Sequence, residues 1–583
     1  MSSTYLQPML RLLKSRNFSA VGYRWPEAAA MLGYVVISVL GVLRHEMWRD
    51  ELQAWMLARD SASVSELISN MMTEGHPALW HLCLYVLSRL TQNPVPMQLF
   101  HWLLSAGTAY LLIYHSPFRR MHRLLLPFGY FFCFEYTIIS RSYGLGVFLL
   151  MLFCHIYRQN RQQFLKLSFL LACVANVSAY SLVLSALLFS LIAIEALKDR
   201  VLFRPARNLF IVGALIFSLG MAVSSLQIYA YPIHRMSLTP QALELESKPD
   251  VQFDQSTAQD TANGSSGSEL AQIDSADAKP SNSPPASIKS IGRGLVGIWE
   301  TYFPIPQVHQ ISFWNTNLFV YDSYSGRITE KLSDTLKHIA LLISVIIFCI
   351  FGYAIAGDRL LLLGYLFSTL AFVGVYAFIH HSLDLRHQGH IFLALIVCLW
   401  LLEVRAKDMP QKPARKNKRL ANRIKVSLFS TILIAQAAAG AYALGMDYVY
   451  PFSTGKKAAE FIASSDYSDV DIIGIPYKNV SVLSGYLGRP IFYPEFGREG
   501  SFWGLSLGKK VAETTLGSEV AQKLNRLPER QALLAVAPAD LDSGFFSQLD
   551  SSGVNTTLLR DFSPSIVADE ELSLLLVELR GQG

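Results

Sequence analysis

Long apolar runs broken by short polar turns make up most of the chain as far as residue 446. A helix crosses a bilayer with roughly 20 predominantly apolar residues. By that measure Pro26–Leu43, Pro96–His115, Leu124–Ile139, Gly144–Tyr157, Phe164–Tyr180, Ser181–Leu197, Leu209–Ala230, Ile339–Ala356, Leu360–Ile379, His390–Leu402 and Val426–Leu444 predict about eleven spans. One further run, Pro77–Leu90, is short for a span and predicts a helix lying in the interface.

Charge fixes the arrangement. The basic turns Arg119–Arg123, Arg158–Arg161, Lys198–Arg207 and Arg405–Lys425 all fall on one side if Pro77–Leu90 does not cross. If it did cross, the Arg119–Arg123 turn would flip to the opposite side. Short Lys/Arg-rich turns stay in the cytoplasm, so the interfacial reading stands. The basic N-terminal flank (Arg11, Lys14, Arg16, Arg24) is then cytoplasmic, and no small-residue cleavage site closely follows the first apolar run, which reads as a retained anchor. The stretch Arg44–Trp80 and everything after Leu444 fall outside.

Polarity changes twice more along the chain. Residues 237–290 are rich in Ser, Ala, Asp, Gln and Pro and cannot bury enough apolar surface to fold, so they read as a disordered insert. An ordered-looking stretch, Ile291–Phe319, follows it. Residues 447–583 lose the long apolar runs and read as soluble α/β. Gly455–Ser464 and Tyr477–Leu487 predict helices; Val470–Pro476, Arg489–Pro494, Ala532–Ala537 and Leu574–Leu579 predict strands, the last two paired. The expected fold class is therefore an α-helical polytopic membrane protein with a C-terminal soluble α/β domain. Its division is 1–446, with a first outer loop at 44–95 carrying interfacial helices, and 447–583.

Composition agrees. Of 583 residues 51% are hydrophobic and only 16% charged, against about 25% charged in an ordinary soluble chain. Mean hydropathy is +0.30. The net charge of +6 sits beside apolar runs, where it sets topology, and does not signal nucleic-acid binding. All six cysteines lie in apolar stretches without CxxC spacing, which implies neither a zinc or redox site nor a disulfide framework. Residues 447–583 contain no GxGxxG or P-loop pattern.

The topology brings three outer turns to one face: Arg44–Trp80, Glu135–Tyr143 and His380–His390. They carry carboxylates at Asp50, Glu51 and Glu135, cations at Arg49, Arg141 and Arg386, and the rings of His76, Tyr143 and His387. Charged residues held at a membrane surface between tryptophans such as Trp48 and Trp55 are costly to keep there and tend to be functional. A carboxylate can take a proton from an attacking hydroxyl. Guanidinium forks suit a phosphate leaving group.

Trp48-Arg49-Asp50-Glu51 followed by Glu74-Gly75-His76-Pro77-Ala78-Leu79-Trp80 resembles the GT-C class of integral-membrane glycosyltransferases, over roughly Pro26–Tyr157. That class includes the protein O-mannosyltransferases, the aminoarabinose transferases and the oligosaccharyltransferases. The pattern looks like the bacterial users of polyprenyl-phosphate sugars. The resemblance implies transfer of a sugar from a polyprenyl-phosphate donor to a glycan, lipid or protein acceptor on the extracytoplasmic side of a bacterial plasma membrane. Asp50 matches the acid of the first loop and Glu51 its neighbour, the catalytic pair. Glu135 and Arg141 take the place of the second-loop site. Arg49, His76, Tyr143, Arg386 and His387 complete the expected donor-binding set. There is no DxD in the second outer loop, so a divalent metal stays open with no motif to support it.

Other readings of these residues stay open. Asp50 and Glu51 could pair with Arg44 or Arg49 on an interfacial helix; Glu135 could pair structurally with Arg141. Arg386 and His387 could snorkel to the interface, and His76 could serve only at a helix entry. His380, His381, His387 and His390 have no standard metal spacing. The rival class is a multi-span transporter or lipid flippase, but those show paired halves with broken midplane helices. No such pairing is visible here.

Overall fold

The structure is a computed structural model that describes residues 25–159, 161–198, 200–237, 288–320, 330–378, 385–406, 416–504, 510–541 and 544–580. Almost all of the expected disordered insert, and both His380 and His381, lie outside the described residues.

The described chain is mostly helical. In order come α1 (Trp25–Arg44), α2 (Arg49–Asp60), α3 (Val64–Asn70), α4 (Leu79–Ser88), α5 (Val95–Tyr110), α6 (Arg120–Leu125), α7 (Ser142–Gln159), α8 (Phe164–Ala175), α9 (Ala179–Lys198) and α10 (Arg200–Ser237). Then follow α11 (Ile288–Tyr302), α12 (Glu330–Ile355), α13 (Arg359–Phe378), α14 (Leu385–Ala406) and α15 (Lys416–Val449). Among the described residues seven helices are long and apolar enough to cross a membrane: α1, α9, α10, α12, α13, α14 and α15.

The other four expected spans take different forms. Pro96–His115 is α5 continued by a five-residue π turn, Leu111–His115. Gly144–Tyr157 lies within α7, most of which is buried in protein. Phe164–Tyr180 contains only the 12-residue α8. Leu124–Ile139 is broken: α6 gives way at Pro127 to a 3-10 turn, Leu126–Phe128, and then to a π turn, Phe131–Glu135. Proline has no N–H to give a helix and clashes with the preceding turn. Here the interruption also serves packing, because Gly129 and Gly440 let this segment lie directly against α15. The short run expected in the interface is α4, only 10 residues long.

The C-terminal region is a six-stranded mixed sheet in the order β3-β2-β1-β4-β6-β5. Its strands are β1 (Ile472–Ile475), β2 (Ile491–Tyr493), β3 (Arg498–Gly500), β4 (Gln531–Val536), β5 (Val554–Phe562) and β6 (Leu572–Leu579). β1 runs parallel to β2 and β4, while β6 is antiparallel to both β4 and β5. The helices are α16 (Gly455–Ser464), α17 (Tyr477–Leu487), α18 (Leu516–Arg526) and α19 (Phe545–Ser551). α16, α17 and the β4–β6 pairing agree with the sequence reading. β5 was missed, because its residues are mostly exposed and read VNTTLLRDF, with no apolar run.

One face of this sheet packs on α18 and α19. The other shares its core with the first outer loop: Met47, Leu52, Trp55, Met56, Leu57, Trp80 and Leu84 join Ala458, Ile472, Val480, Leu483, Leu533 and Leu574. The sequence reading expected interfacial helices in this loop, and α2 is enclosed by protein. Glu51 to Arg59 are all buried, whereas a helix lying on a membrane keeps one face in water. The C-terminal domain covers that face. Tyr486 Oη donates to Met47 O at 3.2 Å, and Arg59 Nη1 reaches the Ser484 and Gly485 carbonyls at 3.4 Å.

Gly485 permits the close approach of α17 to α2, since a Cβ there would lie 3.0 Å from the Cβ of Leu52. Gly485→Val should therefore force the two helices apart and destabilise the protein by about 1–3 kcal/mol. The check is a lower melting temperature of the detergent-solubilised chain; an unchanged one would mean that the two layers are not in firm contact.

Candidate functional site

The site is built where three helices begin. Asp50 is in the first turn of α2, Arg141 immediately precedes α7, and Arg386 is in the first turn of α14. The free N–H groups and the dipole at helix starts favour negative charge nearby. Each start is held in place. Glu51 Oε2 accepts the Trp48 N–H at 3.2 Å at the head of α2, half of a capping box. Asn315, in the left-handed conformation at φ 61°, accepts the Leu385 N–H at 3.1 Å with its side chain.

The turn before α7 is tied from all sides. Tyr34 Oη and Thr137 Oγ1 are 2.8 Å apart, Ser105 Oγ donates to Tyr136 O at 2.8 Å, and the Ser140 N–H donates to Glu51 Oε1 at 2.5 Å. Glycines make two of the close approaches: Gly144 faces the His101 ring, and Gly389 leaves room for Tyr136, whose Oη donates to Arg386 O at 3.1 Å.

Asp50 is the centre. Arg141 Nη1 and Arg386 Nη1 both address the same oxygen, Oδ2, the second at 3.4 Å. Both hydrogen bonds seen at this carboxylate among the described residues go to Oδ2 and none to Oδ1, and the side chain is 21% exposed. Burial opposes ionisation of Asp50, yet the charges of Arg141, Arg386 and Arg49 outweigh it and hold the carboxyl below its ordinary value. Both guanidiniums lie over the Trp48 ring, at 5.9 and 5.1 Å, and Arg386 lies also over Trp314 at 5.5 Å. These contacts help to hold the two cations in place.

Tyr143 and His387 adjoin this centre. Arg141 lies 5.8 Å from the Tyr143 ring, which in turn meets His76 at 6.4 Å and His387 at 5.9 Å. Tyr180 stacks on His387 at 5.2 Å. Glu135 is one layer back: its Oε2 accepts from Tyr130 Oη and Trp314 Nε1, both at 3.1 Å.

Two expected site residues turn away. Glu51 is wholly buried and receives His45 Nε2 at 3.0 Å in addition to the Trp48 and Ser140 amides. Its surroundings are protein, where the sequence reading expected it to share the catalytic role of Asp50. Arg49, expected at the donor, pairs with Asp569 at 2.6 Å and Glu570 at 3.6 Å in the C-terminal domain. Burial pushes the Glu570 carboxyl up to about 8 against the pull of Arg49. Adjacent helical residues point about 100° apart, which is why residues 49, 50 and 51 serve three different neighbours.

Sequence reasoning missed Trp314, His45, Asp447 and Glu570. Trp314-Asn315 carries a signal in retrospect, an aromatic beside a residue that tolerates the left-handed conformation. The other three carry none: Asp447 and Glu570 have partners hundreds of residues away, and His45, though six residues from Glu51, is joined to Asp447 only by the fold. Among the described residues no group of three or more His, Cys, Asp or Glu is gathered to hold a metal ion. No protein-family model matches this chain, and no curated protein matches it in sequence.

His45 is a testable part of this frame. Its ring joins Glu51 at 3.0 Å and Asp447 at 3.0 Å. Burial disfavours its charge, but the Asp447 and Glu51 carboxylates prevail and raise it from 6.5 to about 10. A raised cation contributes its full stability below the unfolded value and loses it as pH rises through the folded one. The melting temperature should therefore fall between pH 7 and pH 10. His45→Gln should start lower at pH 7 and lose that slope; parallel slopes would show that His45 carries no charge in the fold.

Proposed function

We propose that this chain transfers a sugar from a polyprenyl-phosphate donor to an acceptor on the extracytoplasmic side of a membrane. The observation that carries the reading is the divided state of Asp50: among the described residues both arginines address one oxygen, Oδ2, and no hydrogen bond reaches the other. A phosphate group suits the two guanidiniums at the helix starts. An acceptor hydroxyl suits the other carboxylate oxygen. Glu135 and Glu51, the other two carboxylates expected at the site, are engaged by protein donors.

In the proposed reaction Asp50 takes the proton of the acceptor hydroxyl as its oxygen attacks the anomeric carbon. The bond from that carbon to the phosphate oxygen breaks, and the polyprenyl phosphate leaves with its new negative charge facing Arg141 and Arg386. Attack from the face opposite the phosphate inverts the anomeric centre. Two arginines beside a base weaken it, and a bound phosphate offsets their field. The Asp50 carboxyl would then move back up toward the value its burial favours. The acid limb of kcat, which reports the donor complex, should accordingly lie at higher pH than the acid limb of kcat/KM for the donor, which reports the free enzyme. Coincident limbs would remove this role for the phosphate.

Asp50→Asn should cut turnover by roughly 100-fold or more. It should bind decaprenyl phosphate at least as tightly as wild type, because the anion resident on the arginines is gone. Arg386→Ala should instead weaken that binding by about 10-fold. Full turnover in a folded Asp50→Asn protein would exclude Asp50 as the base.

The topology belongs to the same proposal: about eleven crossings, with the basic turns in the cytoplasm and the C-terminal domain outside. Alkaline phosphatase fused after Leu444 should be active and a fusion after Arg415 inactive. The reverse pattern would put the site on the cytoplasmic face and exclude an extracytoplasmic transfer.

A further inference from the structure

Trp48 and Trp314 meet edge to face at 4.8 Å, yet their indole N–H groups differ. Trp314 Nε1 donates to Glu135 Oε2 at 3.1 Å. Trp48 is 3% exposed, and its Nε1 is buried with no hydrogen-bond partner among the described residues. Three guanidiniums surround the Trp48 ring: Arg49 at 5.7 Å, Arg141 at 5.9 Å and Arg386 at 5.1 Å. Guanidinium and indole groups donate hydrogen bonds and accept none, so these neighbours cannot satisfy one another. A buried polar group left without a partner costs roughly 1–3 kcal/mol. Arg141 and Arg386 share the Asp50 carboxylate, whose contacts among the described residues are with their nitrogens and not with the indole.

We propose that Trp48 is a ligand of the donor phosphate, its indole N–H making a third donor beside Arg141 and Arg386 while its ring holds both guanidiniums toward one anion. The ligand class is a phosphate ester on a lipid carrier, and the proposal rests on polyprenyl phosphate being the carrier of the sugar. Trp48 is suited to this part because its backbone cannot drift: its N–H is held by Glu51, and its ring is braced by Trp314 and by Phe452 at 6.3 Å. The resting site is closed by Asp50, whose carboxylate stands in for part of the anion's charge.

The test measures equilibrium binding of decaprenyl phosphate to the full-length, detergent-solubilised protein. Replacing the Trp48 indole by benzothiophene keeps the ring system and removes only the N–H. This change should weaken binding by about 10-fold, with the melting temperature kept, and Trp48→Phe should weaken it at least as much. Wild-type affinity in the benzothiophene protein, with Arg141→Ala still impaired, would overturn the part given to Trp48 and leave the donor reading intact. If Arg141→Ala and Arg386→Ala both bind like wild type, or wild type does not bind, the donor reading fails and Trp48 with it.

A second measurement needs no variant. With the nine tryptophans labelled with nitrogen-15 in the indole ring, one N–H resonance should move downfield when decaprenyl phosphate is added. The absence of any such movement would overturn the proposal. Inorganic phosphate separates the two sources of the anion: it should compete only at far higher concentration, and equal affinity would make free phosphate the occupant in place of the lipid.

Discussion

A buried cluster of charge holds the first outer loop to the membrane bundle. Glu51 accepts from His45, from the Trp48 amide and from the Ser140 amide, while the other nitrogen of His45 meets Asp447. Four separate pieces of chain meet there: the end of α1, the start of α2, the turn before α7 and the end of α15. Taking such charges out of water costs several kcal/mol per ion, and the attraction recovers this only when geometry and hydrogen bonding are complete. Here both ring nitrogens and both carboxylate oxygens of Glu51 are engaged. The gain is geometric definition: the first turn of α2 has one orientation relative to the bundle.

That orientation lets a single helical turn do three jobs. Arg49 reaches the C-terminal domain, Asp50 faces the arginines, and Glu51 faces the bundle. Displacing this turn by one residue would put the carboxylate of Asp50 where Glu51 is and break all three sets of contacts. The arginines are restrained just as firmly, by the tethered turn before α7, by Asn315 at the head of α14 and by the Trp48 ring beneath both. Preorganised donors that need not rearrange are what stabilise charge developing on a leaving group.

The C-terminal domain is part of this frame. Its sheet completes the core of the first outer loop, and its residues hold polar groups of α2 at several points along the helix. At Gln53 the contact is reciprocal: the Trp503 amide donates to its side-chain oxygen at 3.1 Å, and its amide nitrogen donates to Trp503 O at 2.8 Å. The same nitrogen holds Glu74 at 2.9 Å, so the domain reaches, through one glutamine, the polar turn that leads to His76. A domain packed this way acts on the site through position.

The sequence by itself determined what depends on neighbours along the chain. Apolar length predicted about eleven spans, of which seven are helices long and apolar enough to cross a membrane among the described residues, and local pattern marked several of the C-terminal elements, because burial in lipid or in a sheet follows local composition. The sequence reading placed the turns of Asp50, Arg141 and Arg386 on one face, and the three side chains do meet in the fold. Tertiary structure decided the rest. It broke Leu124–Ile139 at Pro127, where packing against α15 replaces regular helix. It buried α2 beneath a domain that begins almost 400 residues later. It also separated Asp50 from Glu51, two adjacent carboxylates that composition cannot tell apart, by giving one of them His45 and the other the arginines. The physical reason is that a charged side chain takes its part from its partner, and Ser140, Arg141, Arg386 and Asp447 reach this turn only through the fold.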